Sequence, residues 1–453
     1  MRHLENVEKL SLTESENDLK KHNLHFRKIS GDKQMNKEKS QLTLLDEEVQ
    51  QCPYHTYTKL REESPVYLDP KTGFYVVTKF EDVKKVLKTP AVFGNVPPVD
   101  SAAFNAFSAK RAHANKIFAE KGWVPASALP FRGQPEHKQL RALYEKTFRA
   151  SQIKKLEGFI AETTEQLFAN FIETGYCDWV REFAIPLPLI VICHEMGAPK
   201  EDIWKIKEWT QAFFHRIGLM LNDKEQTAMV EKEIEAQHYF QPIFDSLREN
   251  PNGTTLSDLV NTEVEGWGRK LNDNELHAEM MASTFVGGSE TTTNALASGV
   301  MLLAQQADVW KQLKSDPDKY LDTFVEEIVR LESPVQGNYR FVHEDTELGG
   351  VSLPKGATLS VRFGSANRDD DQFENASEID LDRKRAAAHL GFGMGNHFCL
   401  GASLARLELR SAFKALLEKI SSIELTDKNS AIEYHPHYSF RAPKRLNIDF
   451  KTK

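Results

Sequence analysis

Cys399 stands in the stretch Gly391-Phe392-Gly393-Met394-Gly395-Asn396-His397-Phe398-Cys399-Leu400-Gly401, just ahead of an apolar, helix-like run. A thiolate is the form of cysteine that ligates metals, and the free N–H groups and dipole at a helix N-terminus favour negative charge. Glycines at 393, 395 and 401 remove side chains, so backbone can approach a large flat ligand and donate hydrogen bonds to the sulfur. A single axial thiolate pushes electron density onto haem iron and favours O–O cleavage. A free cysteine beside a glycine turn is otherwise a small buried apolar residue.

Three further groupings carry chemistry by spacing. In Phe285-Val286-Gly287-Gly288-Ser289-Glu290-Thr291, glycines and threonines sit where a long helix is expected, each glycine costing up to about 1 kcal/mol. Gly287 and Thr291 are four apart and share a face, with Glu290 beside them. A widened helix there leaves room for a small molecule, and an acid next to an alcohol can move protons. A simple kink with Ser/Thr back-bonding explains the same residues. Glu327 and Arg330 are three apart in a run ending Ser333-Pro334, a spacing that more often marks an exposed ion pair. His137 and Arg141, four apart, form a cationic face suited to a carboxylate, or simply to solvent.

The full string Phe392-Gly393-x-Gly395-x-His397-x-Cys399-x-Gly401, continued by Leu404-Ala405-Arg406-x-Glu408, resembles the haem-binding loop of the cytochrome P450 superfamily. That resemblance extends from about Asp46 to the C-terminus. It implies the cytochrome P450 fold, a single haem-containing domain, with haem b held by Cys399 as the axial iron ligand. It implies His137, Arg141, Arg340 and His397 as a clamp on the haem propionates. Glu327, Arg330 and Arg383 are implied as a buried network bracing the cysteine loop, and Thr291 with Glu290 as the alcohol and acid serving dioxygen. Around Arg383 the sequence departs from the family pattern, with Ala376 where proline is common and Ile379 where an aromatic is common. Phe285, Gly287, Asn338 and Phe440 are expected to line the substrate pocket.

The elements that must position these residues read as mainly α with a minor β portion. Residues 46–453 are expected as the catalytic domain, after a polar tail over 1–45 that is too charged for a signal peptide or membrane anchor. Two short strands lie at "SPVYLD" and "GFYVVTKF"; Ala91 to about Arg132 lacks steady periodicity and reads as a long loop with short helices. Helix dominates from Glu136 to Gln306, another opens at Ser315-Asp316-Pro317, strands follow Pro334, and a last helix runs from Leu400 to about Ile420.

With 58 Lys and Arg against 66 Asp and Glu, the net charge of −8 gives no global attraction to nucleic acid or anionic membrane. Four scattered cysteines without a CxxC pair argue against a zinc site and suit a reducing, cytoplasmic setting. The implied reaction inserts one oxygen atom from O2 into a C–H bond of a small or medium substrate, by hydroxylation or by O-demethylation of a methoxylated aromatic or methylated sugar. No flavin fingerprint or iron–sulfur cysteine set is present, so electrons are expected from NAD(P)H through a ferredoxin reductase and a ferredoxin. Lys138, Arg141, Lys146, Arg149, Arg406, Arg410 and Lys414 are a candidate docking face for that partner. A monomer is expected. A peroxide-driven peroxygenase and a non-catalytic haem-thiolate sensor remain alternatives.

Overall fold

The computed structural model describes residues 42–99 and 101–453. The expected tail over 1–45 lies outside the described residues up to 41, and the compact unit begins at Thr43. Thr43 Oγ1 and Leu44 N both donate to Asp69 Oδ2, which pins the start of the unit beside the first hairpin.

A long helical run crosses the middle of the molecule. It opens at Asp273–Ala278, where Asn272 and Glu275 form a reciprocal capping box. It continues as a π-helix over Glu279–Glu290 and as an α-helix over Thr291–Gln305. Most of its residues are apolar or small and buried, so neighbours cover most of its surface. The later half packs into a core with Phe324, Ile328, Leu409 and Phe413. The earlier half packs into a second core with Leu140, Ile206, Phe240 and Phe244.

Four flanking helices matter to the site: α1 (Glu136–Glu145), α2 (Ile203–Ile217), α3 (Pro317–Glu332) and α4 (Ala402–Lys419). Helix α3 starts as its sequence dictates, with Asp316 accepting from Lys319 N and Pro317 at the first helical position. The minor β portion is a five-stranded sheet of β1 (Val66–Leu68), β2 (Tyr75–Val77), β3 (Phe93–Gly94), β4 (Gly337–Val342) and β5 (Thr358–Arg362), ordered β1-β2-β5-β4-β3. β2 and β5 run parallel; the other pairs are antiparallel, and Arg340 lies opposite Leu359. A three-stranded sheet joins Tyr176–Asp178, Asn447–Thr452 and Ile420–Leu425.

One segment differs from expectation. Ala102–Lys121 is a single 20-residue helix inside the region read as a loop. Only Ala114 and Phe118 on it are buried, so no apolar stripe advertised it. Among the described residues, no helix is long and apolar enough to cross a membrane.

Candidate active site

The cysteine loop closes on itself before α4 begins. Cys399 N donates to Phe392 O at 2.9 Å and Phe398 N to Gly395 O at 3.0 Å, so the thiol sits three residues ahead of the first helical residue. Gly395 has φ +72°, and a Cβ there would lie 2.8 Å from the Leu87 carbonyl oxygen, so only glycine suits this turn. The backbone N–H groups of Gly401 and Ala402 favour the anionic form of the sulfur. Burial pushes the thiol up, against the pull of those two N–H groups and of the Arg141 and Arg406 guanidinium groups. Cys177 and Cys193 contrast with it: both are buried from solvent and pushed upward by burial, with carboxylates rather than cations near them.

Two ion networks on α3 hold this loop from behind. Glu327 and Arg330 are fully buried, joined by bonds of 2.6 and 2.8 Å, and Arg383 Nε adds a bond to Glu327 at 2.9 Å. Arg330 also donates to the carbonyls of Asn367, Ala376 and Glu378. Asn367 passes that order on, accepting from Leu390 N at 2.7 Å at the entrance to the loop. The second network was not anticipated. Glu326 takes two bonds from Arg406 at 2.6 and 2.9 Å and one from His389 at 3.1 Å, while Arg406 lies over the Phe392 ring. Burial would raise the Glu326 carboxyl, yet those partners hold it down to about 2.

The expected clamp residues gather beside the loop. His137 and His397 lie ring against ring, centroids 3.8 Å apart. Burial, then the neighbouring cations, lowers His137 to about 4 and His397 to about 3, so both are neutral near pH 7. Arg340 is buried, lowered to about 10 by burial, and donates to Tyr339 O; among the described residues it makes no ion pair with a carboxylate. Arg141 is differently engaged: it bonds Glu145 and the carbonyls of Asn396 and Phe398, so it ties α1 to the cysteine loop. Asn95 Nδ2, a further residue not anticipated, lies 3.3 Å from His397 Nδ1.

On the long helix every residue from Leu276 to Leu303 is buried except Ser283, Gly287, Gly288 and Thr291. The π-helix supplies the widening expected around the glycines, but it begins well upstream, at Glu279. Thr291 Oγ1 donates to Gly287 O at 3.0 Å. Glu290 is buried and faces elsewhere: Lys207 Nζ of α2 lies 2.6 and 2.8 Å from its two oxygens, and Thr210 Oγ1 lies 2.9 Å away. Lys207 is the partner that the sequence did not disclose.

Among the expected pocket residues, Gly287 and Asn338 are exposed, and Phe440 is half-buried against Phe214 and His437. Phe285 is a correction. It is fully buried against Phe240 in the second core and presents no surface to a ligand. The candidate docking face is corrected too, since Arg141 and Arg406 are bound inward; Lys138, Lys146, Arg149 and Lys414 stay exposed.

These residues fit an iron porphyrin. One thiol whose anionic form is favoured by two backbone N–H groups and two guanidinium groups offers a single ligand, suiting a metal that arrives with its other ligands. A buried guanidinium without a carboxylate beside two histidine rings offers donors to an anionic rim. The cytochrome P450 family model matches residues 198–447. The chain is 32% identical over 405 residues to Cytochrome P450 109 of Bacillus spizizenii, covering 88% of this chain and 92% of that one. It is 30% identical to the linalool 8-monooxygenase of Pseudomonas putida, over 84% of this chain and 92% of that one. The crystal structure of P450BioI in complex with an acyl carrier protein ligated to hexadec-9Z-enoic acid superposes with a TM-score of 0.77 at 29% identity, covering 89% of this chain and 99% of that one.

Proposed function

Because the chain belongs to the cytochrome P450 family, and so is a haem-dependent monooxygenase, we propose that it oxidises a small or medium organic substrate with Cys399 as the axial thiolate. The haem, when bound, supplies the activation of dioxygen that no side chain can perform. The observation that carries the proposal is the place of Cys399, three residues ahead of α4, where the Gly401 and Ala402 N–H groups and the Arg141 and Arg406 guanidinium groups favour its anionic form. Such surroundings stabilise a thiolate and moderate its electron donation.

Arg340, His137 and His397 bind the propionate edge. Neutral histidines donate one hydrogen bond each, and Arg340 supplies the charge. Arg141 acts as a positioning residue through its bonds to the loop carbonyls. Thr291 places its hydroxyl on the open stripe of the long helix, and once its proton turns from Gly287 O it can hand a proton to a reacting oxygen. Glu290 is the acid behind it. Proton relay through Glu290 requires its carboxylate to leave Lys207 and turn toward Thr291, so the ion pair sets when protons are delivered. Gly287, Asn338 and Phe440 form part of the substrate wall.

Electrons come from NAD(P)H through a reductase and a ferredoxin, which docks on the exposed Lys138, Lys146, Arg149 and Lys414. Hydroxylation and oxidative O-demethylation both follow from C–H oxidation, the second when the attacked carbon bears an ether oxygen. The test is turnover of a substrate library with NADPH, ferredoxin and reductase under labelled O2, beside the same library with peroxide. Label in the product under the reductase system supports the reading. Product with peroxide alone overturns the ferredoxin route.

A further inference from the structure

Ser283 lies four residues before Gly287 and eight before Thr291, on the one stripe of the long helix that solvent reaches. Four-residue spacing keeps neighbouring positions on one helical face, so Ser283 extends the substrate wall beyond Gly287. Its hydroxyl lies 2.6 Å from Glu279 Oε2. Glu279 is fully buried and also accepts from Tyr144 OH at 3.0 Å and from Leu129 N at 2.9 Å. Burial holds the Tyr144 phenol far above its ordinary range, so it stays protonated and donates.

Three donors therefore converge on one carboxylate, and the single proton of Ser283 is taken up by that contact. A serine oxygen has two lone pairs besides. With its proton turned inward, Ser283 offers only an acceptor to the open side. Oxygen handling and haem binding, as derived above, use neither Ser283 nor Glu279, yet a buried carboxylate is costly to keep without a purpose in structure or recognition.

We propose that Ser283, oriented by Glu279 and Tyr144, is a specificity-determining residue that accepts a hydrogen bond from an alcohol, phenol or N–H group of the substrate. The enzyme then selects molecules that carry such a donor at a set distance from the carbon oxidised. The proposal rests on the haem-thiolate reading, which puts the oxidised carbon near Thr291. A subsite built around a polar group discriminates against ligands lacking its partner, whereas an apolar wall discriminates weakly between homologues.

The probes are ω-(imidazol-1-yl)alkanols of increasing length and the matching alkylimidazoles without the hydroxyl. The imidazole binds haem iron and reports occupancy as a Soret shift; the far end samples the helix. Titrations at pH 8.5 keep Glu279 ionised, since burial raises it to about 7 against the bonds of Ser283 and Tyr144 and the charge of Arg132. In the unaltered protein the hydroxyl is expected to tighten binding about tenfold at one chain length and little at the others. Ser283→Ala removes that preference and leaves alkylimidazole affinity within about twofold. Glu279→Gln, whose amide can donate to Ser283, turns the serine proton outward, so an ω-methoxy probe, which only accepts, gains the chain-length preference that it lacks in the unaltered protein.

A preference that survives in Ser283→Ala, or no preference at any length, overturns the subsite while leaving the haem reading intact. No imidazole shift at all in the unaltered protein sinks the haem-thiolate reading, and the subsite with it.

Discussion

The wall that carries Cys399 and the wall that carries Thr291 are built by different means. Behind the cysteine loop, Glu326 and Glu327, adjacent on α3, each take several charged hydrogen bonds and tie separate partners into the loop. The long helix, by contrast, gives up regular α-helical hydrogen bonding for a twelve-residue π segment and leaves a stripe of small residues open. Its nearest acid, Glu290, depends on one lysine from another helix. A metal ligand must hold one geometry, so its surroundings are over-determined. The substrate and oxygen side needs room and a movable proton, so local helix stability is given up there.

Substitutions that break the first wall should therefore act on stability, and those on the second on chemistry. Glu327→Ala strands two buried guanidinium groups and should lower unfolding free energy by about 3–5 kcal/mol in denaturant titration. Glu326 comes next and gives a pH signature. Its carboxyl is depressed from 4.5 to about 2, so its stabilisation is complete above pH 4.5 and fades as pH falls toward 2. Integrated over that window the contribution is at most about 3 kcal/mol. Glu326→Gln should flatten the acid limb of stability between those values relative to the unaltered protein. An unchanged acid limb would remove Glu326 from the bracing.

A pair of glycines sharpens the contrast. Gly395→Ala forces a left-handed turn and a backbone clash, so a loss of about 1–3 kcal/mol is expected, with weakened haem retention. At Gly287 a Cβ meets nothing nearer than the Ala282 carbonyl oxygen at 3.4 Å. Gly287→Ala should leave the fold as stable, or up to about 1 kcal/mol more so, while cutting turnover by filling the open stripe. Thr291→Ala should move stability least, by under about 1 kcal/mol, and should uncouple O2 consumption from product severalfold. Full coupling in that variant would dismiss the hydroxyl from proton delivery.

Much of this contrast was legible in the sequence, unevenly. The cysteine loop could be read because its demands are local: glycines where backbone turns left-handed, and a thiol just before a helix. The Glu327–Arg330–Arg383 network came with the family resemblance, whereas Glu326 looked like one more surface charge. Its partners His389 and Arg406 lie 63 and 80 residues away, beyond what helical spacing reveals. Lys207 escaped for the same reason, 83 residues from Glu290. Phe285 was misplaced although helical spacing argues against it: two residues before Gly287, it faces away into the core against Phe240, whereas Ser283, four before, shares the Gly287 face. The helix Ala102–Lys121 was missed because it buries almost nothing, leaving no periodic apolar pattern to find.

The claim beneath all of these expectations is that the Cys399 sulfur is the iron ligand. The most direct measurement is the carbon-monoxide difference spectrum of the reduced, purified protein, beside that of Cys399→Ser. Thiolate ligation predicts a strongly red-shifted Soret band that disappears in the variant. An imidazole-type band in the unaltered protein, or a red-shifted band that survives the substitution, would contradict it.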